Sequence, residues 1–151
     1  MLSSPHFQQA FTSCLQLEDD PEPLSRTRKV ELITSCLSHP PTGMRLLTAA
    51  FGPNWQITQI KKLISVASVD DDWEVRLAVC RLLTVIAQFH QEHLIAVGAM
   101  STARQLTEDG TRSVREAAWE AIQSILAADF DSLMRLNDED ASREEKELEA
   151  L

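Results

Sequence analysis

A helix start followed by an amphipathic helix occurs twice in this chain, 39 positions apart. The first copy, VDDDWEVRLAVCRLLTVIA, covers residues 69–87, and the second copy, EDGTRSVREAAWEAIQSIL, covers residues 108–126. When the copies are aligned, the pattern V-R-x-A falls at the same place in both. A period near forty residues is typical of stacked helix pairs, because each pair needs a neighbour to cover its apolar face. This repeat restricts the possible folds more than any other feature of the chain.

The residue types of the two copies each suit a structural task. Apolar residues recur at intervals of three and four, which predicts one buried stripe on each helix. Asp72 and Thr111 can accept hydrogen bonds from free amides of the first turn, and the arginine beside each stripe can bind a carboxylate of the preceding turn, such as Asp71 or Asp109. Small alanines let a neighbouring helix approach closely. The residues predicted to hold the repeats together are Asp72, Val75, Arg76, Ala78, Val114, Arg115 and Ala117.

With D-D-x-x-V-R-x-A in one copy and S-V-R-E-A-A in the other, the chain resembles the armadillo-like HEAT-repeat family. The resemblance implies a solenoid in which an outer and an inner helix form an antiparallel hairpin and hairpins stack. We therefore predict an all-α fold, a short HEAT-like α-solenoid with an acidic C-terminal tail or helix. The predicted domains are the repeats, residues 1–136, and an acidic segment, residues 137–151, where Ser142 and Glu145 match a capping box.

Prolines, glycines and polar runs divide the chain into eight predicted helices. Gly98 is expected inside the sixth helix, where close helix contact would explain it. Three scattered cysteines, Cys14, Cys36 and Cys80, indicate buried thiols, and His90 and His93 indicate a turn between helices in preference to a metal site. The predicted helices with stated bounds are 4–17, 24–37, 42–51, 54–67, 73–89, 90–106 and 129–136.

Composition excludes several classes of function. The net charge is −9, and residues 108–151 carry −8 of it, with thirteen acidic and five basic residues. Such a chain lacks the basic face that nucleic-acid binding requires. It has neither an eighteen-residue apolar run nor a secretory signal pattern, so no membrane partner is expected and the predicted location is intracellular, in the cytoplasm or the nucleus.

No motif for catalysis stands out. There is no G-x-S-x-G, no phosphate-binding loop and no cysteine with a recognisable histidine partner. Catalysis needs converging groups with tuned pKa values, and the sequence does not supply them. We predict a protein that is not an enzyme, with no catalytic residues, metal site, cofactor or small-molecule substrate.

A protein-interaction scaffold accounts for more of the sequence. The inner helices carry mixed charges on their solvent side, which favours a protein or peptide partner over a polyanion. We predict that Trp73 and Trp119 pack between adjacent hairpins, in preference to contacting a partner. Trp55 is expected in the core or in a turn. The alternative function is a structural segment of a larger solenoid with no partner of its own. The candidate partner-binding residues are Trp73, Arg81, Arg112, Glu116 and Trp119.

A narrower resemblance concerns the order V-D-D-D-W-E-V-R-L-A-V, then A-V-G-A-M, then E-D-G-T-R-S-V-R-E-A-A, followed by an acidic segment. This order is similar to the C-terminal HEAT region of ATM-kinase activators that also associate with the Integrator RNA-processing nuclease. The similarity covers roughly residues 57–151 and implies a nuclear and cytoplasmic scaffold in the DNA-damage response or in nuclease assembly. The chain ends in E-L-E-A-L, where that family has a Cys-Tyr end associated with the nuclease contact.

Overall fold

The computed structural model describes residues 16–149, with the side chains after Asp129 described for Arg143 and Leu148 alone. This part of the chain is helical and contains no strand, which confirms the predicted all-α fold. Short 3-10 turns lie at Leu17–Asp19, Ile57–Ile60 and Gln91–His93. The α-helices of the described part are α1 (Pro23–Ser38), α2 (Pro40–Phe51), α3 (Lys61–Ala67), α4 (Trp73–Phe89), α5 (Ala99–Leu106) and α6 (Arg112–Glu149).

Three of these helices form a layer, because α4 packs against both α1 and α6. The other helices attach to this layer: α2 packs on α1, α3 on α4, and α5 on both α6 and α4. Burial of apolar side chains between the helices is the main favourable term in such a fold. The stripe predicted from spacings of three and four is the buried face, which includes Val75, Val79, Leu82, Ile86, Val114, Ala118, Ala121 and Ile125.

The start of each layer helix is fixed by an aspartate and an arginine six residues apart. The arginine donates Nη1 to the backbone carbonyl of that aspartate at 2.7–2.8 Å. The aspartate carboxylate accepts from the backbone amide two residues further on, at 2.8–3.0 Å. We call this arrangement an Asp-x5-Arg unit. The three units are Asp20 with Arg26, Asp70 with Arg76, and Asp109 with Arg115.

Two of the arginines also bind the aspartate of the next unit. Arg26 donates Nε and Nη2 to the carboxylate of Asp70 at 2.8 and 3.1 Å, and Arg76 does the same to Asp109 at 2.6 and 3.2 Å. We call each bidentate pair a rung. The sequence predicted that Arg76 would bind Asp71 in its own preceding turn, and this was wrong, because the guanidinium reaches a carboxylate 33 residues further on. Each rung therefore ties one helix start to the next.

The rung between Arg76 and Asp109 makes the free energy of unfolding depend on pH in the acidic range. Burial alone would raise the pKa of Asp109, but hydrogen bonds from Arg76 and the Thr111 amide outweigh it and hold the pKa below the ordinary 3.8. A carboxylate with a depressed folded pKa contributes stability that is complete above its unfolded pKa and is lost as the pH falls through the folded value. We expect the urea midpoint of the wild-type chain to fall below about pH 4.

In Asp109→Asn this part of the pH dependence should be missing, so the two curves converge in acid. Exposed Asp71 provides the matched control, because the same substitution there removes a carboxylate that has no rung. Urea titrations followed by circular dichroism at a series of pH values give the measurement. If the urea midpoint of Asp109→Asn falls with decreasing pH as steeply as that of the wild type, the rung does not couple folding to protonation.

The segment predicted as one helix over residues 90–106 is divided. A 3-10 turn at Gln91–His93 is followed by α5, which begins only at Ala99. Gly98 lies just before α5 with φ +68°, a left-handed conformation that glycine adopts without the steric penalty of a Cβ. Apart from its neighbours in the chain, no atom lies within 4 Å of where its Cβ would be, so the expected close helix contact was wrong. Backbone conformation explains this glycine.

The C-terminal part also differs from the prediction. The separate helix predicted over residues 129–136 was wrong, because α6 continues without interruption from Arg112 to Glu149. The proposed domain division at residue 136 therefore falls inside a helix and stays a prediction. At the other end, the predicted helix over residues 4–17, with Cys14, lies outside the described residues except for its last two positions.

Two cysteines and one histidine are buried inside the fold. Cys36 and Cys80 are buried free thiols, and burial raises the pKa of Cys80 to about 12, which keeps it in the unreactive thiol form. His90 is buried between helices and donates Nε2–H to the carbonyl of Leu37 at 2.9 Å. Among the side chains that the structure describes, no group of three or more His, Cys, Asp or Glu is arranged to hold a metal.

Candidate partner-binding groove

A groove of about 520 Å³ runs between α4 and α6. Its residues are spaced three and four apart on each helix, so they occupy one side of α4 and the facing side of α6, next to the buried stripe. Nine residues line it: Trp73, Leu77, Arg81, Thr84, Val85, Ser113, Glu116, Ala117 and Glu120.

The floor of the groove is apolar and its edges are charged. Leu77, Val85 and Ala117 are partly buried and pack against the core. Trp73 stands at one end with 41% of its surface exposed, so a large aromatic face is available to a partner. Arg81 and other charged residues are exposed above the floor. This combination, an apolar strip with an aromatic residue and flanking charges, suits a protein segment that offers both apolar and polar contacts.

One arginine at the groove forms an ion pair with a groove residue, and another has no such partner among the described residues. Arg112 donates Nε to Glu116 Oε1 at 2.8 Å, but both side chains are highly exposed, so this ion pair contributes little to stability. Arg81 has no ion-paired or hydrogen-bonded carboxylate among the residues that the structure describes. The guanidinium of Arg81 is thus available for an acidic group of a partner.

The structure places three of the five residues predicted to bind a partner in the lining of the groove. Trp73, Arg81 and Glu116 line the groove, and Arg112 joins them through its ion pair with Glu116. Trp119 lies on a different face of α6, where 56% of its surface is exposed. Partner binding by these residues stays a prediction.

The expected burial of the tryptophans was only partly right. Trp73 and Trp119 were predicted to pack between hairpins, and this was wrong, because both are exposed. Trp55 is 8% exposed and stacks on Phe51 with ring centroids 5.9 Å apart, which confirms its prediction. Trp55 occupies a loop between α2 and α3.

The predicted repeat residues lie at the interfaces between helices. Val75, Ala78 and Val114 are buried, and Ala117 is partly buried beside the groove. Asp72 accepts from the backbone amide of Glu74 at 2.9 Å, as a helix cap does. The paired arginines, Arg76 and Arg115, belong to Asp-x5-Arg units.

Sequence reasoning missed the first of the three units and most of the groove floor. Asp20 and Arg26 carry the same six-residue spacing as the later pairs, and that spacing was the available signal. The unit was overlooked because it lies 50 residues before Asp70, whereas the repeat had a period of 39. Lining residues such as Thr84 and Val85 are ordinary residue types, and only their helical spacing from Trp73 could have indicated them.

The described residues contain no helix long and apolar enough to span a membrane. In a comparison with known protein families, residues 4–148 match the family described as sister chromatid cohesion protein PDS5. No curated protein and no solved structure matches the chain. The family match covers nearly all of the 151 residues.

Proposed function

Because the chain belongs to the family of the sister chromatid cohesion protein PDS5, we propose that it is a non-enzymatic scaffold that binds a protein partner in the groove between α4 and α6. The observation that carries the proposal is the convergence of Trp73, Arg81 and Glu116, three residues selected from sequence, on one groove. Exposed tryptophan and arginine are the residue types that most often contribute binding energy at protein interfaces.

The shape and charge of the groove suggest what kind of segment it takes. Leu77, Val85 and Ala117 offer apolar surface to aliphatic side chains, and Trp73 can cover one end of the bound segment. The available guanidinium of Arg81 pairs with a carboxylate of the partner. We therefore propose an amphipathic helix or extended segment with an acidic residue beside its apolar side chains.

The family match supports a partner from the sister chromatid cohesion machinery, and with it a nuclear location. The similarity of residues 57–151 to ATM-kinase activators supports a second setting, DNA-damage signalling or assembly of the Integrator nuclease. In both settings the chain acts by bringing proteins together. Direct nucleic-acid binding does not fit the net charge of −9.

Charge reversal in the groove is expected to reduce partner capture strongly without unfolding the chain. The double substitution Arg81→Glu, Glu116→Lys reverses two charges of the groove. The partner then loses its favourable charge contacts and is repelled. Affinity capture from nuclear extract, quantified by mass spectrometry, should show partner recovery reduced by about tenfold or more relative to the wild type. Recovery of cohesion proteins, or of ATM and Integrator proteins, then distinguishes the two settings.

Arg104→Glu provides the matched control, because Arg104 is exposed on α5 and does not line the groove. It should capture the partner as well as the wild type does. Urea unfolding should place all three proteins within about 0.5 kcal/mol of each other, as expected for exposed sites. Identical captures by the wild type and the groove variant would reject the groove as the binding site and would favour a purely structural segment.

A further inference from the structure

One face of α6 corresponds to the faces through which α1 and α4 receive the next helix of the layer. The correspondence follows from aligning the arginines of the three Asp-x5-Arg units, since the residues 4, 7 and 11 positions later then share one side of each helix. In α4 that side faces α6, because Cys80 Sγ lies 3.7 Å from the carbonyl oxygen of Val114. The aligned sets are Val30, Ile33 and Leu37 in α1; Cys80, Leu83 and Ala87 in α4; and Trp119, Ile122 and Leu126 in α6.

Burial differs sharply among these sets. In α1 and α4 all six residues are at most 2% exposed. In α6 the middle residue, Ile122, is 8% exposed, but Trp119 and Leu126 are 56% and 54% exposed. Two large apolar side chains are therefore in solvent at positions that are completely covered in the preceding helices. The face has the composition of a helix-packing surface but no described helix on it.

Arg115, the arginine of the third Asp-x5-Arg unit, lacks a contact that the first two arginines make with described residues. Arg26 and Arg76 use Nε and Nη2 to bind the aspartate of the next unit. Arg115 donates Nη1 to the carbonyl of Asp109 at 2.8 Å, but within the described residues its Nε–Nη2 edge meets no carboxylate. The guanidinium is held in the geometry of a rung whose acidic half is missing.

We propose that Arg115, Trp119, Ile122 and Leu126 form a docking face for an aspartate-led helix of another protein. The aspartate completes the rung with Arg115, and the helix covers the two exposed apolar side chains. The helices that fill the corresponding faces define the chemistry of this occupant. In them a valine follows the aspartate by five residues, as Val75 and Val114 do, and a further valine or alanine follows four residues later.

The described part of α6 beyond this face does not fold back to cover it. Helices α1 and α4 end at Ser38 and Phe89, one and two residues beyond the aligned faces, and the chain then turns back. In contrast, α6 continues to Glu149, and these 23 further residues carry the chain about 35 Å away at 1.5 Å per residue. The segment after Leu126 thus leads away from the face.

The unit aspartates of a second copy of this chain are not free to supply the missing carboxylate. Asp70 and Asp109 are bound by Arg26 and Arg76. Asp20, the remaining unit aspartate, accepts from Lys29 Nζ at 2.7 Å and from Ser25 Oγ at 2.6 Å. Every unit aspartate of a second copy already has a cationic partner, so charge complementarity favours a different protein.

A peptide of residues 107–128 is the probe, because this segment covers the corresponding face of α4. Labelled with fluorescein and titrated with the full chain, it should show saturable binding by fluorescence anisotropy. Arg115→Gln in the chain and Asp109→Asn in the peptide should each weaken binding about tenfold, and the two together should weaken it little further. Leu126→Asp, at a half-exposed site, should abolish binding while circular dichroism stays unchanged.

The controls separate this face from the groove. The groove variant Arg81→Glu, Glu116→Lys and the surface variant Arg104→Glu should bind the peptide as the wild type does, so each site can fail without the other. Absence of saturable binding at millimolar peptide, or binding that ignores Arg115 and Leu126, would overturn the proposal. A dimer in sedimentation that Leu126→Asp dissociates would also overturn it, by assigning the face to a second copy.

Discussion

Replacing Gly43 with alanine is expected to lower the free energy of unfolding by about 3 kcal/mol, at the upper end of the range for overpacked sites. A Cβ at this position would lie 1.6 Å from the carbonyl oxygen and 2.4 Å from the carbonyl carbon of Cys36. These are backbone atoms of α1, which cannot rotate away as the end of a side chain can. The turn between α1 and α2 must therefore open to admit the methyl group. Urea unfolding of the full chain, followed by circular dichroism, measures the loss.

Gly110→Ala is the matched control for this substitution. It makes the same chemical change in another turn, but apart from the neighbouring residues no atom lies within 4 Å of the added Cβ, and the backbone does not have a positive φ. Its effect should stay within about 1 kcal/mol and can be stabilising, because alanine reduces the entropy of the unfolded chain. Equal losses for the two variants would contradict the close approach of α1 and α2 at Gly43.

The second large effect is expected at Asp109, whose replacement by alanine should cost about 3 kcal/mol. Its side chain is 8% exposed and accepts from Arg76 and from the Thr111 amide. Removing it leaves the guanidinium of Arg76, itself only 17% exposed, without its carboxylate. An uncompensated charge in a poorly solvated site is more costly than the lost attraction alone. The same unfolding measurement applies.

Glu116→Ala tests whether burial decides the effect. The ion pair of Glu116 with Arg112 has a 2.8 Å contact, close to the 2.6 Å of the rung, but its side chains are 63% and 83% exposed. Solvent screening should limit its loss to about 0.5 kcal/mol. If Asp109→Ala costs no more than Glu116→Ala, the rungs do not hold the layer together.

The regular part of this fold could be predicted because it depends on local spacing. Val75 and Val79, and Val114 and Ala118, lie four apart on a buried face, and helix periodicity alone places them there. The partner of Arg76 could not be found in this way. Its own turn contains several acids at suitable spacing, and only tertiary packing brings the carboxylate of Asp109 within reach.

Two further differences have other physical origins. Gly98 fits a helical pattern, so its left-handed conformation is invisible to hydrophobic periodicity. The groove residues Arg81 and Glu116 were found because solvent-facing positions follow from the buried stripe, whereas Trp73 was chosen by residue type. Trp119 was grouped with them by residue type, although it lies four residues after Arg115 and therefore shares the side of Arg115.

The double contact of each rung arginine has a mechanical consequence. Arg76 holds the carbonyl of Asp70 with one nitrogen and the carboxylate of Asp109 with two others, so a single planar group clamps two turns that belong to successive repeats. A force that pulls the repeats apart along the layer acts on all of these clamps at once, because they lie in series. The layer opens first where a clamp and the apolar packing beside it are weakest, and separation there divides it into blocks that keep their own turns intact.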